Sequence, residues 1–234
     1  MAESSDSAPE FPDSDSRNPL EPDCSRCPAL VEARECISWG NGSLDADVVV
    51  VGEAPAFGDP EADRWRGGNW TGMAYTSRHS GRKVRALFAD AGLAPDELYF
   101  TNAVKCFPRD DESGRDETPT NREPTAEERA NCRRHLRTEI ERISPAVVAT
   151  TGKHATRSVL GDRSAKSGES GESGDSDDSS GFLDSVLEPV SSVEFGTTVL
   201  PLLHPSYQNV WLPRIGLDRE EYVAEIRAVV TARR

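Results

Sequence analysis

Lysine is scarce in this chain. Only Lys83, Lys105, Lys153 and Lys166 occur among the 27 basic residues of 234, the rest being arginine, and 41 acidic residues bring the net charge to −14. An acid-rich, lysine-poor surface resembles those of proteins adapted to high internal salt, where screening weakens self-repulsion and carboxylates keep the surface hydrated. A halophilic source is expected. Any apolar run near the span of a bilayer is also missing, so no membrane association is expected. No charged-then-apolar segment opens the chain, and nothing else directs it to an oxidising compartment. That disfavours disulfides and points to a soluble cytoplasmic protein. At 234 residues a core can be buried without covalent staples, which suits one large α/β domain.

Against this background the cysteines stand out. Cys24 and Cys27 form a Cys-x-x-Cys pair, Cys106 follows Thr-Asn-Ala-Val-Lys, and Cys132 stands in Asn-Cys-Arg-Arg-His. Four thiolates can hold one zinc ion tetrahedrally or an iron–sulfur cubane, and spacing alone does not choose between them. Either would clamp the start of the folded region to its middle. The plainer explanation is a set of buried thiols acting as small hydrophobes. Cys36 fits no second pair and is read as packing.

Residues 1–23, rich in Ser, Asp, Glu and Pro, read as a disordered acidic tail; the low-complexity stretch 163–181 reads as a disordered acidic insert. The polar segment 110–124 reads as a surface loop, and none of the three is expected to carry chemistry. The folded domain is then 24–234. Within it, strands are predicted at 47–51, 98–102, 146–150 and 199–203. Helices are predicted at 81–93, 125–143 (opened by a Thr125-x-x-Glu128 capping box), up to 160, and 218–232 (opened by Asp218-x-x-Glu221). Strand and helix in alternation predict a three-layer α/β/α sandwich on a central, mainly parallel four-stranded sheet. Ligands of such sheets bind beyond the carboxyl ends of the strands.

Three strand ends carry chemistry-bearing residues: Glu53 in Gly-Glu-Ala-Pro, Asn102, and His204 in His-Pro-Ser-Tyr-Gln-Asn. An amide can read a polar heterocycle's edge, an imidazole can stabilise developing negative charge, and an acid can orient water. Singly, each has a bland explanation as a cap, a turn residue or a structural His-Pro turn. Together they suit nucleobase chemistry.

Gly-Glu-Ala-Pro after a strand, Trp70-Thr71-Gly72, Thr-Asn-x-Val-Lys-Cys and His-Pro-Ser-Tyr, with the four cysteines in this order, resemble the iron–sulfur uracil-DNA glycosylases of prokaryotes, family 4 and family 5. The likeness runs from about Cys24 to the C-terminus, minus the acidic inserts. It implies that Cys24, Cys27, Cys106 and Cys132 hold a structural 4Fe-4S cluster, zinc being the alternative. By matching positions it implies that Glu53 and Asp59 serve the water and pocket motif, that Ala54 offers a backbone N–H to the base, that Trp70 stacks on uracil, that Asn102 reads the base and that His204 is the electrophile. The implied partner is uracil-containing DNA, acted on by a monomer that feeds later base-excision-repair proteins. Two departures stand out: Ala56 replaces the usual glycine, and Met73 to His79 looks like an insertion. Glu53 marks family 4, whereas His-Pro-Ser-Tyr-Gln-Asn leans to family 5.

Phosphate contacts are expected from Arg64, Arg66, Arg78, Arg82, Lys83, Arg85, Lys105 and Arg109, and a duplex wedge from Tyr207, Val210, Trp211 and Leu212. Competing readings are a glycosylase for hypoxanthine or for thymine in T:G pairs, a non-catalytic four-cysteine zinc module that binds nucleic acid, and an electron carrier.

Overall fold

The computed structural model describes residues 9–110, 118–161 and 179–234. Six strands form one sheet: β1 (Asn41–Gly42), β2 (Val48–Gly52), β3 (Leu98–Asn102), β4 (Val147–Thr151), β5 (Val190–Ser192) and β6 (Thr197–Leu202), in the order β1-β3-β2-β4-β6-β5. The inner four are parallel to one another and are the four strands predicted from sequence; β1 and β5 add short antiparallel edges. A two-residue Asn-Gly strand and a three-residue Val-Ser-Ser strand carry too little apolar pattern to be read in advance.

β2 is four valines and a glycine, all buried, as a strand covered on both faces requires. Alternate residues feed opposite layers. Val48, Val50, Phe100, Ala149 and Leu200 pack beneath α3 (Ser80–Asp90) and α8 (Arg219–Thr231). Val49, Val51, Tyr99, Val148 and Val199 pack beneath α4 (Ala126–Ile143) and α5 (Lys153–Leu160). Each fully buried valine contributes about 1.5–3 kcal/mol, so the run fixes the register as well as the layer. Both capping boxes form: Thr125 Oγ1 accepts from Glu128 N at 3.2 Å and Glu128 Oε2 from Thr125 N at 2.8 Å, while Asp218 and Glu221 exchange the same bonds at 2.9 and 2.8 Å.

The acidic segments need correcting in part. Residues 9–23 lie on the domain: Arg17 donates to Gly72 O (2.8 Å) and Ile37 O (3.1 Å), Asn18 N donates to Gly40 O (2.9 Å), and Phe11 meets Trp65 edge to face. Average composition hid these few anchoring residues; residues 1–8 lie outside the described residues. Of the 163–181 insert, 163–178 lies outside them too, and α6 (Ser179–Leu183) closes it. In the 110–124 segment, Asn121 Nδ2 donates to Pro55 O (3.0 Å) and Arg122 grips Glu128 with two bonds of 2.8 and 2.7 Å. Among the described residues, no helix is long and apolar enough to cross a membrane.

Candidate active site

The carboxyl ends of β2, β3, β4 and β6 open into a cavity of about 1170 Å3 lined by Glu53, Ala54, Asn102, Thr151 and His204. Its floor is tightly locked. Ala103 N donates to Gly52 O (2.7 Å) and Val104 N to Glu53 O (2.9 Å), so the loops after β2 and β3 run side by side. A Cβ on Gly52 would meet Asn102 Oδ1 at 2.4 Å and the Tyr75 hydroxyl at 2.8 Å; only glycine lets the amide come this close. Asn102 is 4% exposed, and its backbone carbonyl accepts from Lys105 Nζ at 2.6 Å.

His204 stands just past β6. Its Nδ1 accepts from Ser206 N at 3.3 Å, so in the neutral ring the proton sits on Nε2, a donor available to the cavity. Burial, and then the His154 imidazole, hold His204 below the usual imidazole range and favour that neutral form. Glu53 is pushed up to about 7, mainly by burial and next by the Glu123 carboxylate, with Arg129 opposing. Asp59 also lines the cavity but is exposed, and its Oδ1 accepts from Glu61 N (3.0 Å) to close a turn. Glu53 is therefore the enclosed carboxyl of the two.

Trp70 does not reach the cavity. It lies on α2 (Gly68–Thr71) with its ring edge on Phe57 at 5.5 Å and the Arg66 guanidinium over it at 5.9 Å. The aromatic beside Asn102 is Tyr75, backed by Phe100 at 5.7 Å and tied through its hydroxyl to Thr151 Oγ1 at 2.6 Å. Met73 to His79, read from sequence as an insertion, thus supplies cavity wall. The aromatic-x-Gly pattern drew attention to Trp70, whereas Tyr75 reaches its place through a left-handed backbone (φ 54°) that no local pattern reveals.

Two expected phosphate contacts turn inward instead, Lys105 fully and Arg85 in part. Lys105 is 0% exposed and pairs with Glu139 Oε2 at 2.6 Å. Arg85 stacks 4.0 Å over the Phe100 ring and donates to Tyr75 O and Asn41 Oδ1. Arg78 is exposed at the cavity rim. Of the wedge residues, Tyr207 and Val210 are exposed at 56% and 51%, Trp211 is half-buried on α7 (Gln208–Trp211), and Leu212 is buried in the core. Sequence reading overlooked Glu123 and His154, which also line the cavity. Glu123 sat in a stretch dismissed as polar loop; His154 follows β4 at a strand end, the one available signal.

The four cysteines meet on the far side of the same loops. Cys24, Cys27, Cys106 and Cys132 surround an apolar cluster of Leu30, Ile37, Trp39 and Val104, against which Ala54 also packs. Arg34 Nη1 donates to Cys106 Sγ at 3.1 Å and Asn131 Nδ2 to Cys27 Sγ at 3.5 Å, the bonds a thiolate sulfur needs. Burial pushes the Cys132 thiol up to about 12 and raises Cys27 and Cys106, so these groups stay protonated unless a cation binds them. Among the described residues, the one trio of ligand atoms within 4.8 Å of one another is Glu21, Cys24 and His135, so no three of the four sulfurs are that close. Cys36 lies outside that cluster, its Sγ 3.7 Å from Trp70 O.

A comparison with known protein families matches residues 39–230 to the uracil DNA glycosylase superfamily. The chain belongs to that superfamily. Relatives of this superfamily member include the type-5 uracil-DNA glycosylase of Pyrobaculum aerophilum, 36% identical over 165 residues, covering 58% of this chain and 65% of that protein. The type-4 uracil-DNA glycosylase of Thermotoga maritima is 30% identical over 191 residues, covering 79% and 77%. That of Saccharolobus solfataricus is 30% identical over 134 residues, covering 57% and 52%. The superfamily match takes in all six strands, Cys106 and Cys132; Cys24 and Cys27 precede it.

Proposed function

We propose that this chain is a DNA-repair glycosylase that flips uracil out of DNA and hydrolyses its N-glycosidic bond, leaving an abasic site. The observation that carries this reading is the convergence of Asn102, Glu53 and a neutral, Nε2-protonated His204 from three strand ends on one cavity. Extruding the base costs a few kcal/mol, less when it is mispaired, so a U:G pair is favoured. Asn102 reads the edge of the flipped base and Tyr75 takes the aromatic role that the motif likeness gave to Trp70. As the C1′–N1 bond breaks, electrons flow to the base; Nε2–H of His204 and the Ala54 amide then stabilise the oxyanion. Glu53 lies on the same floor to orient water.

The cysteine set fits an iron–sulfur cluster. Arg34 and Asn131 donate to two of its sulfurs, as cluster thiolates need, and the motif likeness favours the iron–sulfur cluster over zinc. When bound, the cluster supplies a structural clamp between the chain's beginning and its middle. Brown protein with broad visible absorption is expected, and colourless protein carrying zinc would overturn the assignment. The activity is tested on labelled oligonucleotides holding U:G, U:A, T:G or hypoxanthine, treated with alkali after incubation at low and at molar salt. Cleavage at uracil supports the reading; cleavage confined to T:G or hypoxanthine shifts the substrate, and none at any base refutes it.

A further inference from the structure

Three imidazoles line the cavity, His79, His154 and His204, and the proposed reaction uses only the last. Nδ1 of His154 lies 2.9 Å from Oε1 of Glu123, and both residues line the cavity with Glu53 and His204. Arg129 Nη1 holds the same carboxylate oxygen at 3.0 Å. An imidazole nitrogen this close to a carboxylate must be the donor, so neutral His154 carries its proton on Nδ1 and an accepting lone pair on Nε2. His204 is the reverse: its Nδ1 accepts from Ser206 N, which leaves Nε2 as a donor. His154 and His204, two of the three imidazoles that line the cavity with His79, are thus set in opposite tautomers, one to give a hydrogen bond and one to take a proton. Opposite tautomers fit one ring to donate and the other to accept, the complementary roles of acid and base catalysis.

We propose that His154, oriented by Glu123, is a further catalytic group of this cavity, the general base that takes a proton from the water attacking C1′. The step rests on the glycosylase reading and balances. The C1′–N1 bond breaks with its electron pair leaving on the base, whose oxygen Nε2–H of His204 holds. The water oxygen bonds to C1′, and one of its protons moves to Nε2 of His154. Glu123 steadies the imidazolium so formed, and the proton returns to solvent or to the departing base. Glu53, whose carboxyl holds its proton up to about 7, is suited to orienting that water by a hydrogen bond rather than to stripping it. Burial keeps His154 below the usual imidazole range, and therefore neutral at pH 7, against Glu123, which pulls it up. The other charged groups facing it are Lys153 and Arg157 on its own helix, Arg129 on α4, and His204 after β6.

The test is single-turnover excision from U:G duplex by the full-length, cluster-loaded protein at saturating enzyme, from acid to alkaline pH. Wild-type protein that cleaves no uracil would sink the glycosylase reading itself; wild-type cleavage preserves it and lets the variants judge the base. His154→Gln should lower the plateau rate by about 10²-fold, lose the fall in rate at acid pH, and leave DNA affinity unchanged. Glu123→Gln should lose less, with the acid limb moved to lower pH because the imidazolium has lost its carboxylate. Added imidazole should restore part of the rate to His154→Gly, which a merely structural residue would not show. The proposal is overturned if His154→Gln keeps the wild-type rate and acid limb, or loses DNA affinity alone. An acid limb unmoved in Glu123→Gln overturns it equally, should His154 variants fail to fold.

Discussion

Replacing Lys105 with methionine should destabilise the fold more than any substitution of a surface cation. Lys105 Nζ makes three bonds of 2.6 Å, to Glu139 Oε2, Thr101 Oγ1 and the Asn102 carbonyl, and both ends of the ion pair are shut from water. Glu139 keeps Thr101 Oγ1 (2.8 Å), Tyr99 OH (3.2 Å) and Gly40 N (3.2 Å), but these neutral donors cannot offset a buried full charge. Breaking such a pair from one side costs about 3–5 kcal/mol. For a chain of this size, with about 2–4 °C lost per kcal/mol, the melting temperature should fall by about 6–20 °C. Removing both charges in Lys105→Met/Glu139→Gln should restore most of the loss, since the cost lies in the orphaned carboxylate rather than in the missing attraction. Thermal denaturation followed by circular dichroism reads all three proteins, and the deficit should persist at molar salt because the pair is not screened. A single variant that melts with wild type, or a double variant no better than the single, would refute this reasoning.

His204→Ala should slow the chemical step by about 10²- to 10³-fold while DNA affinity changes little, because its donor acts on charge that develops only as the bond breaks; single-turnover rates beside binding titrations check this. Cys132→Ala should strip the protein of colour and most of its solubility, and a stable, colourless, fully active variant would disprove the cluster. Glu53 keeps its proton up to about 7 in the folded chain against 4.5 as its ordinary value, so stability from this group is present below that ordinary value and is lost as pH rises toward 7. Glu53→Gln should flatten the decline in melting temperature across that window and melt higher than wild type above it; an unchanged slope would contradict the burial argument.

What sequence revealed and what it hid divide along physical lines. The inner strands were legible because four consecutive valines, Leu98 to Asn102 and Val199 to Leu203 are short apolar runs bounded by breakers, and the helices because Thr125 and Asp218 announce their starts. Glu53, Asn102 and His204 were legible because strand ends in such sheets point at ligands. Lys105 was misread because its partner lies 34 residues away, and a charge without its partner looks like surface. Tyr75 depends on a backbone angle, and the His154–Glu123 pair on a loop crossing to another element; neither leaves a local pattern to find.

The segment Thr101 to Cys106 shows why the cysteine site and the cavity belong to one construction. Asn102 at one end faces the cavity, Cys106 at the other faces the cysteine cluster, and Lys105 between them ties Asn102 O to Glu139 on α4. The same helix carries Cys132 about two turns earlier, so a group bound by Cys106 and Cys132 would pull together the two elements that the ion pair also joins. Ala103 and Val104 meanwhile bond to Gly52 and Glu53, and Ala54 packs on the cysteine cluster directly. Each residue proposed to touch the base or the water from the loops after β2 and β3 is thus within a residue or two of a contact that a group bound at the cysteines would stiffen. Preorganised donors act only when held to small fractions of an ångström. The proposed cluster, remote from the reacting atoms, would therefore govern the reaction by fixing where Asn102, Ala54 and Glu53 stand.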